Sequence, residues 1–217
     1  MKSHWRKILS ILPLSLQKKY YNRFFTRQHA DWEEKGSQLP VSNLLKQQVL
    51  REFQKKYAIK TFVETGTYLG DTLFALSDDF EKLYSIELST HFYELARKRF
   101  KKIGQVQLLQ GDSGIVLKAL VPKLDGPAIF WLDGHYSGGI TAKGEKECPV
   151  YEELDSIFSS PFEHLIFIDD ARLFVGRNDY PTIEEMRNFV NLKKPSYQFS
   201  VAHDCIRLLP IEKSQLT

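Results

Sequence analysis

The stretch Phe62–Ser77, "FVETGTYLGDTLFALS", opens as a buried strand, passes through a glycine turn and closes as a helix. Glu64 stands at the mouth of that strand, two residues before Gly66. A carboxylate there is poor core material, because acids are almost never fully buried without a partner. The reading of the chain turns on what Glu64 is placed to meet.

Outward from this stretch, strands and helices alternate. Strands are read at 60–64, 82–87, 106–110, 127–133 and 164–169, and helices at 71–80, 91–102, 113–124, 150–158 and 182–190. Ser89 or Thr90 can cap the second of those helices. Near-continuous apolar strands separated by helices imply a parallel sheet covered on both faces. Two last strands, 197–202 and 205–210, meet at a short turn at His203–Asp204 and imply one strand inserted antiparallel. The expected fold is α/β: a Rossmann-like, doubly wound, seven-stranded, mostly parallel sheet with a C-terminal antiparallel hairpin.

Before the first strand, 43–57 has helical spacing, with Leu44, Leu45, Val49 and Phe53 on one face. Residues 1–42 read as a basic amphipathic N-terminal helical arm and hinge, and 43–217 as the main domain. The arm carries Lys2, Arg6, Lys7, Lys18, Lys19, Arg23 and Arg27 and no acid before Asp31. "ILSILPLSL", Ile8–Leu16, lacks the cleavage site of a signal peptide. With Trp5, Ile8, Leu9 and Leu12 on one side, it suits a membrane-surface or partner-docking helix, homodimerisation included, or a helix packed on its own domain. The polar segment 30–42, with Gly36 and Pro40, is read as the hinge.

A chain of 217 residues, 42% hydrophobic and 26% charged, suits one substantial soluble domain with an appendage. The net charge of +3 gives no case for nucleic acid, and neither an aromatic-flanked "NPPY" nor a broad basic face is present. Cys148 and Cys205 read as free thiols of a reducing compartment, so a cytoplasmic location is expected, peripheral to the membrane if the arm touches lipid. No apolar run approaches the roughly 20 residues that span a bilayer.

In open α/β sheets, ligands bind at the carboxyl ends of the strands. Those ends carry a series of acids: Glu64, Glu87, Asp112, Asp133, and Asp169 with Asp170. All should face one crevice. A dinucleotide fold needs a pyrophosphate over the glycine turn, which Glu64 would repel, and Gly66-x-x-x-Gly70 is not its G-x-G-x-x-G pattern. A ligand with an ammonium, a sulfonium and no phosphate fits better: S-adenosylmethionine (SAM).

The motifs "VETGTYLG", "SIELS", "QGDSG", "FWLDGHYSGG" and "FIDDAR" resemble those of class I SAM-dependent methyltransferases, over roughly residues 60–210. Tyr68 departs from the commonest glycine turn, which has a small residue there. The resemblance implies that Glu64 and the turn Gly66, Thr67, Tyr68 and Gly70 hold the methionine end. It implies that Glu87, with Leu88, takes the ribose hydroxyls, and that Asp112 and Ser113 lie by the adenine. Asp133 would touch both cofactor and acceptor. Glu87 could instead form a strand-end salt bridge, and Asp112 could cap the helix after it.

Asp133, Asp169 and Asp170 also resemble the divalent-metal site of O-methyltransferases of the catechol and macrolide-sugar types. Their oxygens would suit Mg²⁺, which could bind a vicinal diol and lower the pKa of its hydroxyl. Against this stands a metal-free reading, with one Asp on the cofactor amine and another capping a helix. His135, two residues past Asp133, is the candidate base, or else a loop histidine that only bonds substrate. In the long loop after the fourth strand, Tyr136, Thr141 and Lys143 could touch substrate, as could Arg172 and Arg177 after the fifth. The arginines would suit an anionic acceptor or stand as solvated loop charges.

The leading expectation is an O-methyltransferase, Mg²⁺-assisted in one form, acting on a small-molecule or saccharide hydroxyl. A metal-free N- or carboxyl-methyltransferase and a non-catalytic cofactor-binding scaffold stand as alternatives.

Overall fold

A computed structural model describes residues 12–134 and 148–211. Two helices, α1 (Leu14–Glu34) and α2 (Asn43–Tyr57), precede the sheet. Then follow β1 (Thr61–Thr65), α3 (Asp71–Leu76), β2 (Lys82–Glu87), α4 (Thr90–Phe100), β3 (Val106–Gln110), α5 (Ser113–Leu120), β4 (Ala128–Leu132), α6 (Val150–Phe158), β5 (Leu165–Ile168), α7 (Ile183–Lys193), β6 (Tyr197–Ala202) and β7 (Cys205–Pro210). The seven strands form one sheet in the order β3-β2-β1-β4-β5-β7-β6. The first five run parallel, and β7 lies antiparallel between β5 and β6. The expected doubly wound sheet with its terminal hairpin is therefore present.

Alternation along each strand sorts the core into two layers, since successive side chains point to opposite faces. Val63, Phe130, Leu132, Ile166 and Ile168 pack with α5, α6 and α7 through Leu117, Leu154 and Val190. Phe62, Leu83, Ile129, Trp131 and Phe167 pack on the other face with Leu50, Leu73, Phe74 and Phe100 of α2, α3 and α4. Glu64 shares the parity of Phe62, and Ser85 that of Leu83, so both belong to this second layer.

The second layer also receives α1. Its Tyr21 and Phe25 are buried there, the Arg99 guanidinium stacks 4.7 Å from the Tyr21 ring, and Lys18 pairs with Asp78. The helix runs on to Glu34, into the polar stretch read as a hinge. Trp5, Ile8 and Leu9 lie outside the described residues. No described helix is long and apolar enough to cross a membrane.

Two helices end short of the stretches read for them. The helix expected at 71–80 stops at Leu76, where Ser77 turns its hydroxyl back onto the Phe74 carbonyl at 2.9 Å. The helix expected at 113–124 stops at Leu120 and tightens into a 3₁₀ turn at Val121–Lys123, because Pro122 has no N–H to continue the ladder. The expected apolar face of α2 packs on the second layer: Leu50 is buried, Leu44, Val49 and Phe53 lie partly buried against it, and Gln47 is buried beside them.

Candidate functional site

The strand order reverses at β1, with β2 on one side and β4 on the other, and in open α/β sheets ligands bind above the carboxyl ends at such a point. The turn after β1 lies there. Gly66 has φ +81°, and a Cβ at that position would overlap the Asp133 carbonyl. Only glycine lets the β1 and β4 loops approach this closely. Thr67 is buried, with its hydroxyl 2.6 Å from that of Ser85. Tyr68 also takes positive φ, and its N–H donates to Glu87 Oε2 at 2.7 Å. Its ring, 42% exposed, stands edge-on to Phe92. Gly70 begins α3 beside the Phe100 ring.

Glu64 lies inside β1, 3% exposed, and accepts the Ser85 hydroxyl at 2.7 Å. Burial pushes its pKa up to about 8, with Glu87 and Asp71 adding to the rise. Glu87 is buried at the end of β2, and its Oε1 accepts Ser89 N–H at 2.8 Å. Two backbone donors thus fix this carboxylate, which retains acceptor sites, since a carboxylate offers about four. Leu88 follows it, half-buried. Asp112 caps α5 through Gly114 N–H at 2.9 Å. Ser113 is buried against Gly134.

Asp133, Asp169 and Asp170 line one cleft of about 770 Å³ together with Lys46, Arg172 and Tyr68. Its opposite wall is Trp32, Asp31 and Gln28 of α1, with Ser42 and Asn43 at the start of α2. Burial and the Asp169 charge hold Asp133 well above the usual carboxylate range. Burial likewise raises Asp169, against the pull of Lys46. For Lys46 itself, burial works to lower the pKa, but Asp169, with Asp133 and Asp170, overrides it and raises the ammonium.

Of the three aspartates expected to suit Mg²⁺, Asp169 and Asp170 already carry cations and donors of the chain itself. Lys46 Nζ pairs with Asp169 Oδ2 and stands 3.9 Å from Asp170 Oδ1. Asp169 Oδ1 is engaged by the Asp170 N–H at 2.8 Å, and Asp170 Oδ1 by Arg172 at 2.8 Å. Among the described residues no group of three or more acids, histidines and cysteines is arranged to hold a metal. Of the two arginines read as facing an anionic acceptor or solvent, Arg172 is tied to Asp170 and Asp204. Arg177 is exposed and is not among the described residues lining the cleft. His135, Tyr136, Thr141 and Lys143 lie outside the described residues.

Four participants escaped the sequence reading. Lys46 and Ser85 are two. Thr65 is the third; its hydroxyl accepts the N–H groups of Asp133 and Gly134 at 3.2 and 3.1 Å, tying β1 to the β4 loop. Glu153 of α6 is the fourth. Burial pushes it up to about 7, with the Ser113 and Thr65 hydroxyls acting against the rise. A signal existed for it: Val150, Glu153, Leu154 and Ile157 form one helical stripe, and only Glu153 in it is charged.

No protein-family model and no curated protein matches the chain. Solved structures do. The chain is similar to an O-methyltransferase from Bacillus cereus in complex with SAH, with TM-score 0.57, 13% identity, and 89% of this chain and 91% of that one covered. It is similar to the SAH-bound methyltransferase PaMTH1 of Podospora anserina, with TM-score 0.56, 16% identity, and 83% and 86% covered. It is also similar to the O-methyltransferase TomG of Streptomyces achromogenes in complex with SAM, with TM-score 0.55, 18% identity, and 87% and 89% covered. The chain shares its fold with these methyltransferases.

Proposed function

We propose that the chain is a SAM-dependent methyltransferase that methylates a hydroxyl of a small-molecule or saccharide acceptor. One observation carries this reading: the strand-end acids gather beside a polar, tryptophan-walled cleft above β1, β4 and β5. Similar structures bound to SAM or SAH support the choice of cofactor.

Glu64 would neutralise the ammonium of the methionine end, with the Gly66 turn closing around it. Glu87 would accept the ribose hydroxyls through its remaining lone pairs. Asp112 and Ser113 would flank the adenine. The acceptor would lie in the cleft, where the Trp32 face suits the apolar side of a sugar ring and Asp31, Gln28 and Asn43 suit its hydroxyls. In the reaction the acceptor oxygen forms a bond to the methyl carbon, the carbon–sulfur bond breaks with its electrons going to sulfur, and the hydroxyl proton leaves. Alignment of oxygen, carbon and sulfur supplies much of the rate. His135 would take the proton.

The thiols play no part in this reading. Both are buried, and burial pushes Cys148 up to about 12, too high for a thiolate near neutral pH. A cytoplasmic location accords with them, and peripheral membrane contact or homodimerisation would involve the basic N-terminal arm, 1–42.

The test is an acceptor screen that follows SAH release. Turnover with hydroxylated acceptors and none with matched amines or carboxylates is the expected result. For an acceptor so found, His135→Ala should remove the acidic limb of the pH–rate profile. Turnover confined to amines or carboxylates would overturn the hydroxyl assignment.

A further inference from the structure

We propose that the Lys46 ammonium is the resident cation of the acidic rim, standing where a divalent ion would have to bind, so that the site works without Mg²⁺. The inference rests on the methyltransferase reading of the crevice and concerns how its acidic cluster is neutralised.

The argument begins with charge. Asp133, Asp169 and Asp170 crowd one wall of the cleft, and like charges at such spacing need a cation or protons. Among the described residues, two cations reach them. Lys46 arrives from α2, with its side chain 15% exposed, and meets an Asp169 side chain only 3% exposed. Its Nζ also lies 5.8 Å from the centre of the Trp131 ring, whose face favours a positive charge. Arg172 reaches Asp170 from the turn after β5.

A metal bridging the three carboxylates would compete with groups already on them: Asp169 holds Lys46 on one oxygen and a backbone N–H on the other, and Asp170 holds Arg172 on Oδ1. Binding there would expel Lys46 from its carboxylate and leave a buried ammonium beside a dication. Breaking a buried pair in this way is strongly unfavourable. The ammonium has three donors and lines the same cleft as the acceptor. It can therefore orient an acceptor oxygen as a fixed positive charge, without the exchangeable water of a metal ion.

Mn²⁺ serves as the probe, because its binding can be counted by electron paramagnetic resonance with no acceptor in hand. Wild type, Lys46→Arg and Lys46→Met are titrated with Mn²⁺ in the presence of SAH. Wild type and Lys46→Arg should bind no stoichiometric Mn²⁺ at millimolar levels. Lys46→Met, with its acids uncompensated, should bind Mn²⁺ at least about tenfold more tightly. SAH affinity, measured by calorimetry, should agree within about threefold across the three proteins. A chain that binds no SAH refutes the methyltransferase reading and leaves the Mn²⁺ comparison standing. Stoichiometric Mn²⁺ binding by wild type, or no gain in a folded Lys46→Met, overturns the assignment. Should Lys46→Met fail to fold, as judged by circular dichroism, wild type and Lys46→Arg decide the matter.

Discussion

At the residue scale, Glu64 couples the site to pH. Its pKa of about 8 lies above that of an unfolded glutamate, so the folded chain binds the extra proton. The stability linked to this group is fully present below the unfolded value and is lost as pH rises through about 8. Melting temperature should therefore fall from about pH 5 to about pH 9, and Glu64→Gln should flatten part of that slope, the rest belonging to the other raised acids. A bound SAM ammonium would favour the carboxylate. Calorimetry at pH 7 should thus show proton release on binding, as a buffer-dependent enthalpy that Glu64→Gln abolishes. Equal enthalpies in all buffers for wild type would contradict this. Gly66→Ala should cost at least about 2 kcal/mol in urea denaturation, combining left-handed strain with a backbone clash. Legibility at this scale followed chemistry. Glu64, Glu87 and Asp133 stood out because an acid ending an apolar strand has no place in a core. Ser85 and Thr65 did not, because small hydroxyl residues are ordinary in strands. Lys46 was invisible because its partner Asp169 lies 123 residues away along the chain.

At the scale of elements, strand and helix identities were legible in the periodicity, and two helix starts in their caps, Ser89 and Asp112. Ser42, Ser89 and Asp112 each accept a hydrogen bond from the first turn, and Thr182 with Glu185 forms a capping box. The apolar stripe of α2 packs on the second core layer through Leu44, Val49 and Phe53, but Gln47 is buried with it. Periodicity marks apolar positions and cannot report a buried amide. The role of α1 has a direct test, since Phe25 is buried in the second core layer. Phe25→Ala should destabilise the chain by about 3 kcal/mol, read from the shift in urea midpoint. A surface arm free of the domain would show almost no shift.

At the scale of the whole molecule, strand order converts distant residues into one site. Because β1 and β4 are neighbours and β5 follows, Glu64, Asp133 and Asp169 come to one edge from three separate parts of the sequence. That convergence could be inferred in advance, because parallel strands place their carboxyl ends on the same side. The acceptor cleft could not, because its far wall is α1 and the start of α2, and nothing local ties Trp32 to Asp170. The central claim is that the gathered acids bind SAM, with Glu87 on its ribose. Calorimetric titration of wild type and Glu87→Ala with SAH tests it most directly. The account predicts one site per chain in wild type and at least about a tenfold loss of affinity in the variant; equal affinity in the two proteins, or no binding by wild type, would contradict it.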